Sequence, residues 1–353
     1  MKKLLLFVMM LTLLAACSNQ DEETSNQTET SPSENESEES EETEGDDQPT
    51  EQPPEYIYPL TGVATDEEPT NRMMAVMVNN HPKARPQTGL SKADIVFEIL
   101  AEGNITRFMA LFQSELPEKV GPVRSARPYY FHLADDYGAF YVYHGAAEFI
   151  NNMITGGAVD YISGATWDGD NVHFERSSNR VAPHNSYAIV DGIYEKAEEK
   201  GYEIETDYEP LPFTDQAEIT GDTASEVKFQ YGNNTVRYAY DEANQRYKRF
   251  SDGEQTVELA DQAPVTMENV LIMETSHQVI DDEGRREIDF ESGGDALLLQ
   301  KGKAQHVQWE RMGDKIIPTK DGETVPFVSG KTWINVIPND PGIEGVNLVG
   351  ASE

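Results

Sequence analysis

Cysteine is almost missing from this chain of 353 residues: Cys17 is the single one, so no disulfide can form within the chain. Long apolar runs are missing as well. The uncharged N-terminal stretch, residues 4–16, is thirteen residues long, whereas a helix that spans a bilayer needs about 18 or more. A membrane-spanning anchor is therefore the weaker interpretation of this stretch.

Several well-known site motifs are also absent. The chain has no HExxH, CxxC, GxSxG, GxxxxGK[ST] or GxGxxG pattern, which leaves zinc-protease, redox, hydrolase, nucleotide and dinucleotide sites without support. The acidic turn at 281–284 lacks the ligand spacing of a calcium loop. We therefore predict no metal site and no cofactor.

Basic residues are scarce. The chain has 27 Lys and Arg against 64 Asp and Glu, a formal net charge of −37. A field of this sign repels nucleic acid and anionic membrane surfaces. We expect no nucleic-acid partner.

What is present begins with an export signal in residues 1–17. Lys2 and Lys3 precede the apolar stretch, as in a secretory signal peptide. The stretch ends in LAAC, which resembles the bacterial lipobox, where the cysteine carries the lipid. We predict a lipoprotein signal peptide with lipidated Cys17, and hence attachment to the extracytoplasmic face of the cell membrane. The alternative is a cleaved signal with a chance cysteine.

An acidic, polar segment follows at residues 18–56. It has 15 acidic residues and no Lys or Arg, a composition that cannot bury enough apolar surface to fold alone. We predict a disordered tether between the lipid anchor and the folded part. An acidic interaction tail is the alternative.

Charge is unevenly spread over the rest of the chain. Residues 188–353 hold 34 acidic and 15 basic residues, whereas residues 80–187 hold 12 and 9. This nearly neutral part contains six of the 13 arginines: Arg85, Arg107, Arg124, Arg127, Arg176 and Arg180. A local concentration of arginine in so acidic a chain favours recognition of an anion.

Residues 57–210 alternate between two kinds of segment, which predicts an α/β (α+β) domain. Apolar segments predict strands at 73–80, 93–100, 106–114 and 139–145. Helix-like segments lie at 126–138, 147–157 and 185–201, the last capped by Asn185 or Ser186. Residues 211–353 consist of strand-length segments separated by turn residues, which predicts a β-rich domain of antiparallel hairpins.

The stretch GPVRSARPYY, residues 121–130, leads from a turn into the first predicted helix. Guanidinium groups bind carboxylates and phosphates through paired donors, and helix N-termini favour anions. We predict a ligand-binding site made of Arg85, Arg107, Arg124, Arg127, Arg180 and Asn185. The alternative is structural pairing of Arg124 and Arg127 with Asp135, Asp136 or Glu102.

The candidates for acid–base chemistry are His184 and Glu102, with Glu98 as a further carboxylate. They act as a catalytic pair only if His184 lies within hydrogen-bond reach of a carboxylate and faces the arginines. We expect His81, His132 and His144 to be structural.

Taken together, the motifs resemble a YerB-like family of bacterial lipoproteins, a domain family of unknown function. The resemblance covers residues 57–350 and depends on ARPQTGLSKADIVFE, EGNITRFMALF, GPVRSARPYY, APHNSY and SGKTWINVIP. It implies an N-terminal domain with the arginine motifs and a β-rich C-terminal domain. It implies no catalytic residues.

Our leading functional hypothesis is a membrane-anchored binding protein of a Gram-positive type of cell envelope. It would bind an anionic envelope ligand, or a protein partner, through an arginine-lined cleft. The alternatives are an enzyme acting on phosphorylated or carboxylated cell-wall intermediates and a structural scaffold of an envelope complex, so whether the chain is an enzyme stays open.

Overall fold

A computed structural model describes residues 55–215 and 218–350. The predicted signal peptide with Cys17, and residues 18–54 of the predicted tether, lie outside the described residues. No helix in the described ranges is long and apolar enough to cross a membrane.

The strands of residues 55–215 are β1 (Tyr56–Ile57), β2 (Ala64–Thr65), β3 (Met74–Asn79), β4 (Ile95–Glu102), β5 (Ile105–Phe112), β6 (Lys119–Val120), β7 (Phe140–Tyr143), β8 (Tyr161–Ser163), β9 (Phe174–Arg176), β10 (Ser186–Ile189) and β11 (Phe213–Thr214). The α-helices are α1 (Pro128–Asp136), α2 (Glu148–Met153) and α3 (Val190–Glu199), and a π-helical segment, Ile154–Ala158, continues α2.

The strands of residues 218–350 are β12 (Asp222–Thr223), β13 (Glu226–Tyr231), β14 (Asn234–Asp241), β15 (Arg246–Ser251), β16 (Glu254–Gln255), β17 (Thr266–Met267), β18 (Asn269–Thr275), β19 (His277–Val279), β20 (Arg286–Ile288), β21 (Gly294–Gln300), β22 (Lys303–Met312), β23 (Lys315–Lys320), β24 (Glu323–Thr324), β25 (Phe327–Val328), β26 (Thr332–Pro338) and β27 (Asn347–Val349). Short 3-10 helices lie at Pro82–Ala84, Leu90–Lys92 and Gly342–Gly345.

One large mixed sheet takes strands from both parts of the chain. Its order is β24-β23-β22-β21-β18-β26-β4-β5-β3-β7-β8, with β12 paired to β22. The C-terminal strand β26 lies in the middle, parallel to both β18 and β4. A smaller sheet has the order β16-β15-β14-β13-β27, with β17 paired to β15. The predicted α/β (α+β) N-terminal part and the β-rich C-terminal part with antiparallel hairpins are confirmed.

The central strands are apolar throughout because both faces of the large sheet are covered. Successive side chains of a strand point to opposite faces. In β3, Ala75 and Met77 pack on the side of α1 and α2, whereas Met74, Val76 and Val78 pack on the side of α3 and the smaller sheet. Because both faces are buried, the central strands appear in the sequence as continuous apolar segments and not as alternating apolar and polar residues.

Helix α1 follows its predicted boundaries closely. Pro128 occupies the first turn, where a missing N–H costs nothing, and the chain leaves the helix before Gly138, whose φ is 68°.

The predicted helix at 185–201 is wrong in its first part. Ser186–Ile189 forms strand β10, which pairs with β9 and β6, and helix α3 begins only at Val190. Neither proposed cap is available to a helix, because the side chain of Asn185 accepts from Arg176 and that of Ser186 hydrogen-bonds His144. Sheet pairing on both sides of these residues outweighs their capping preference.

A buried ion pair joins the two sheets. Glu98 of β4 and Arg249 of β15 have side chains that are each 1% exposed. The guanidinium Nη2 lies 2.8 Å from both carboxylate oxygens, and Nε lies 3.1 Å from Oε2. Burial works against the charge, but the Glu98 carboxylate leaves the pKa of Arg249 raised above its ordinary value.

Neighbouring donors complete this ion pair. Thr106 Oγ1 and Trp333 Nε1 donate to the carboxylate at 2.9 and 3.2 Å, and Arg249 Nη1 donates to Thr256 Oγ1 at 2.8 Å. A buried pair stabilises a fold only when its remaining donors and acceptors are satisfied in this way.

Arg249→Met should lower the free energy of unfolding by about 3–5 kcal/mol, because it leaves the Glu98 carboxylate buried without its counter-charge. The matched control is Arg246→Met on the same strand, whose side chain is 54% exposed and pairs with Glu268; we expect it to cost less than about 1 kcal/mol. Urea denaturation of the full chain in detergent measures both. Equal losses would contradict a special role for the buried pair.

Candidate functional site

The strand directions bring several of the predicted site residues to one edge of the large sheet. Strand β3 runs parallel to β7, and both β3 and β4 run antiparallel to β5. Asn79 ends β3, Glu102 ends β4 and His144 follows β7, so all three lie where parallel strands present their carboxyl ends. Arg107, near the start of β5, is the register partner of Asn79. Open α/β sheets bind ligands at such an edge.

The segment 121–127 crosses this edge. The backbone N–H of Arg124 donates to Met77 O at 2.9 Å, and the carbonyl of Arg124 accepts from His144 N at 2.9 Å. These bonds hold Arg124 between the ends of β3 and β7. Arg127 is the N-cap residue of α1, which begins at Pro128. Arg124 lies three residues earlier and is not part of the helix.

The carboxylate of Glu102 lies between two arginines. Arg107 Nη2 is 2.6 Å from Glu102 Oε2, and Arg127 pairs with the other carboxylate oxygen. Arg107 also donates to Ser125 O at 2.7 Å. Arg107 and Arg127 are 5% and 7% exposed and share this one carboxylate inside the protein, in agreement with the structural interpretation of Arg127.

Arg85 and Arg180 also have protein partners. Arg85 donates to the carbonyl and the side chain of Asn80 and pairs with Asp252 at 2.9 Å. Arg180 donates to two backbone carbonyls of the 84–86 turn, each at 2.6 Å. Both arginines connect loops at the sheet edge.

Asn185 belongs to a network around Arg176. Arg176 forms two 2.7 Å hydrogen bonds with Asp168 and donates to Asn185 Oδ1 at 2.7 Å. Arg176 Nη2 also lies 3.4 Å from His144 Nε2, and His144 Nδ1 lies 2.9 Å from Ser186 Oγ. Asn185 is therefore engaged in positioning Arg176.

Arg124 differs from the other five arginines of this region. Within residues 55–215 and 218–350 its guanidinium has no hydrogen-bond or ion-pair partner, although the side chain is only partly exposed. Burial and the neighbouring charge of Arg107 lower the pKa of Arg124. A cation that is partly desolvated and uncompensated is prepared to accept an anion.

Two histidines lie at the same end of β3 as the backbone of Arg124: His81 follows this strand by two residues, and His184 hydrogen-bonds its last residue, Asn79. The rings of His81 and His184 stack with centroids 4.7 Å apart and an interplanar angle of 26°. His184 Nδ1 lies 2.9 Å from Asn79 Nδ2, and His81 Nδ1 accepts from Lys83 N at 3.1 Å. The sequence analysis missed His81 and Asn79; the available signal was the polar NNH ending of a buried strand.

The electrostatic surroundings of both rings are positive. Burial lowers the pKa of each ring, and nearby cations lower it further. The cations acting on His81 are Lys83, Arg85 and Arg124, and those acting on His184 include Arg124, Lys83 and Arg180. Both effects favour the neutral form of the two rings.

The arrangement offers little to acid–base catalysis. The side-chain hydrogen bond of His184 is made with Asn79 and not with a carboxylate, and Glu102 is engaged by two arginines. Residues 55–215 and 218–350 contain no group of three or more His, Cys, Asp or Glu side chains placed to hold a metal ion.

Five surface cavities of about 560 to 660 Å³ lie elsewhere on the described part of the chain. Neither Arg124 nor either of the stacked histidines lines any of these five.

Comparison with known families identifies the chain. Residues 60–203 match the model "Protein of unknown function (DUF3048) N-terminal domain", and residues 226–334 match the C-terminal domain of the same family. The chain belongs to the DUF3048 family. The two matches lie on either side of the predicted boundary at 210/211, which itself stays a prediction.

The DUF3048 chain is similar to "Putative lipoprotein YerB" of Bacillus subtilis (strain 168), with 46% identity over 286 residues, 80% of this chain and 86% of the relative. It is also similar to the crystal structure of the YerB protein from Bacillus subtilis, with a TM-score of 0.77 and 44% identity over 83% of this chain and 99% of that one. The resemblance to a YerB-like family is confirmed.

In this DUF3048 protein, Arg127→Met should destabilise the fold more than Arg124→Met. Loss of the buried ion pair between Arg127 and Glu102 should cost about 1–3 kcal/mol. Removal of the unpaired Arg124 guanidinium should change stability by about 0.5 kcal/mol or less. Urea denaturation of the full chain measures both variants. A large loss on Arg124→Met would mean that Arg124 supports the fold.

Proposed function

We propose that this DUF3048 protein is an exported lipoprotein that binds an anionic envelope ligand through Arg124. In this proposal the lipid on Cys17 holds the protein on the extracytoplasmic face of the cell membrane, and the acidic segment up to residue 54 separates the anchor from the folded part, which begins with β1. The lipobox-like LAAC and the name of the Bacillus subtilis relative support the anchor.

The unpaired guanidinium of Arg124 is the observation that carries the binding part of the proposal. The other arginines of the region, Arg85, Arg107, Arg127, Arg176 and Arg180, have carboxylate, amide or carbonyl partners within the protein. Their partners favour a supporting role, which narrows the predicted set of six ligand-binding residues to Arg124 and its neighbours. The alternative of a purely structural scaffold does not explain why the guanidinium of Arg124 is unpaired.

His81 and His184 extend the proposed site. Each ring has one nitrogen occupied by a protein donor and the other, Nε2, without a hydrogen-bond partner among the described residues. Together with Arg124 they supply donors from three separate segments of the chain. An anionic group of an envelope molecule would find donors from all three segments here.

Cys17→Ser should abolish the anchor. Two acyl chains give stable membrane attachment, so the wild-type protein should incorporate a palmitate analogue and sediment with membranes, whereas Cys17→Ser should do neither. Ser25→Ala in the predicted tether is the control and should behave as the wild type. Labelled, membrane-bound Cys17→Ser protein would contradict the proposed anchor.

Arg124→Gln should abolish stabilisation by anions. The full chain in detergent is heated with phosphate, pyrophosphate, acetate, and teichoic-acid or peptidoglycan fragments. A ligand at 100 times its dissociation constant should add about 2.7 kcal/mol to the free energy of unfolding.

The control for this measurement is Arg237→Gln, which removes an arginine of the smaller sheet that pairs with Glu226 of the neighbouring strand. We expect it to respond as the wild type. If no anion stabilises the wild type, or if Arg124→Gln responds equally, the proposed site is wrong.

A further inference from the structure

The hydrogen bonds of His81 and His184 within the protein determine which nitrogen of each ring carries the proton. The protonated nitrogens in turn limit the kind of ligand group that can bind. The amide of Asn79 is 3% exposed, and its Oδ1 accepts from the backbone N–H of His81 at 3.0 Å. A backbone N–H can only donate, so this bond defines which side of the amide is oxygen. The Nδ2 group of Asn79 therefore faces His184.

An amide N–H₂ group is also a donor only. His184 Nδ1, 2.9 Å from Asn79 Nδ2, must accept, so the ring carries its proton on Nε2. The same reasoning applies to His81, whose Nδ1 accepts from the backbone N–H of Lys83. A proton on Nδ1 of either ring would point at the N–H donor of Asn79 or Lys83 and would break that hydrogen bond. Both rings are therefore held as neutral Nε2–H donors.

The presence of donors on three separate segments favours one class of anion. A carboxylate presents two oxygens in one plane, and the fork of a single guanidinium can engage both. A phosphoryl group is tetrahedral, so its oxygens also reach donors outside that plane. Here the extra donors come from other segments, namely the end of β3 for His81 and the loop before β10 for His184.

The charge around the site agrees with this class. Lys83 and Arg180 act on the ring of His184 in addition to Arg124, and the partners of Arg180 are backbone carbonyls, which leave its charge uncompensated. Such an excess of positive charge suits a phosphoryl group, which carries one or two negative charges.

We infer that the ligand at Arg124 presents a phosphoryl group, bound by the guanidinium and by two neutral imidazole donors, with Asn79 as the positioning residue for His184. This inference rests on the proposed anion site. It also means that the stacked histidines take up no proton when the ligand binds, because each Nδ1 already has a donor.

The first test compares anion classes by calorimetric titration of the full chain in detergent. The probes are inorganic phosphate, glycerol 3-phosphate as a monoester, dimethyl phosphate as a diester, and acetate. Phosphoryl probes should bind at least about tenfold more tightly than acetate, and His184→Ala should weaken them about tenfold, as expected for one lost hydrogen bond to a charged group.

His306→Ala, an exposed histidine of β22, is the control and should bind as the wild type does. Whether monoester or diester binds more tightly indicates the kind of envelope phosphate. Acetate binding as tight as phosphate would overturn the inference and leave the proposed anion site standing. No binding of any probe would overturn both.

The second test addresses Asn79 with dimethyl phosphate, whose charge does not change between pH 6 and 8. Wild-type affinity should stay within about twofold over this range. Asn79→Asp places a carboxylate beside His184 Nδ1, raises the pKa of that ring and should make affinity increase as the pH falls. A wild-type affinity that rises steeply on acidification would contradict the neutral donors.

A third measurement needs no variant, in case Asn79→Asp fails to fold. Nitrogen-15 spectra of histidine-labelled wild-type protein at pH 7 should show His184 as the neutral Nε2–H tautomer both without and with dimethyl phosphate. An Nδ1–H tautomer, or a protonated ring on addition of the probe, would overturn the role of Asn79.

Discussion

The buried ion pair between Glu98 and Arg249 is the constraint on which the rest of the structure depends. It lies between the large sheet and the smaller one, with both side chains 1% exposed. Two charges can be held there only if neither strand moves and the neighbouring donors stay in place. Asn80, the residue after β3, is one of those donors, at 3.3 Å from Glu98. The same network that joins the sheets therefore also supports the turn that carries His81.

Compensation of charge explains why neighbouring arginines differ in role. Arg107 and Arg127 are almost fully buried and share Glu102, which makes them part of the fold. Arg124 lies three residues before Arg127 in the same motif, yet no carboxylate reaches it within the described ranges. A desolvated guanidinium without a counter-charge is costly for a protein to keep. In the proposed site a bound anion would offset that cost, and the stacked histidines would act as donors that add no charge.

Much of the fold could be predicted from the sequence. The apolar runs of β3, β4, β5 and β7 marked buried strands, and Pro128 and Gly138 marked the limits of α1, because local steric preferences decide such positions. Local rules failed at Ser186–Ile189, where pairing with β9 and β6 makes a strand out of a segment that begins with good helix caps. Nothing local to the sequence indicated that β26 would lie between β18 and β4, since the pairing of β26 with β4 joins segments more than two hundred residues apart.

Some features of the candidate site could likewise be predicted from the sequence, and others could not. The sequence by itself determined the acidic composition of residues 18–56 and the concentration of arginines in residues 80–187, and it is the basis of the predicted export signal, because these are properties of residue type and local order. Only the tertiary structure decided which arginine is unpaired and that Asn79 orients His184 beside His81. Whether a charge is compensated depends on which distant side chain reaches it, and that is determined by strand order and packing rather than by neighbours along the chain.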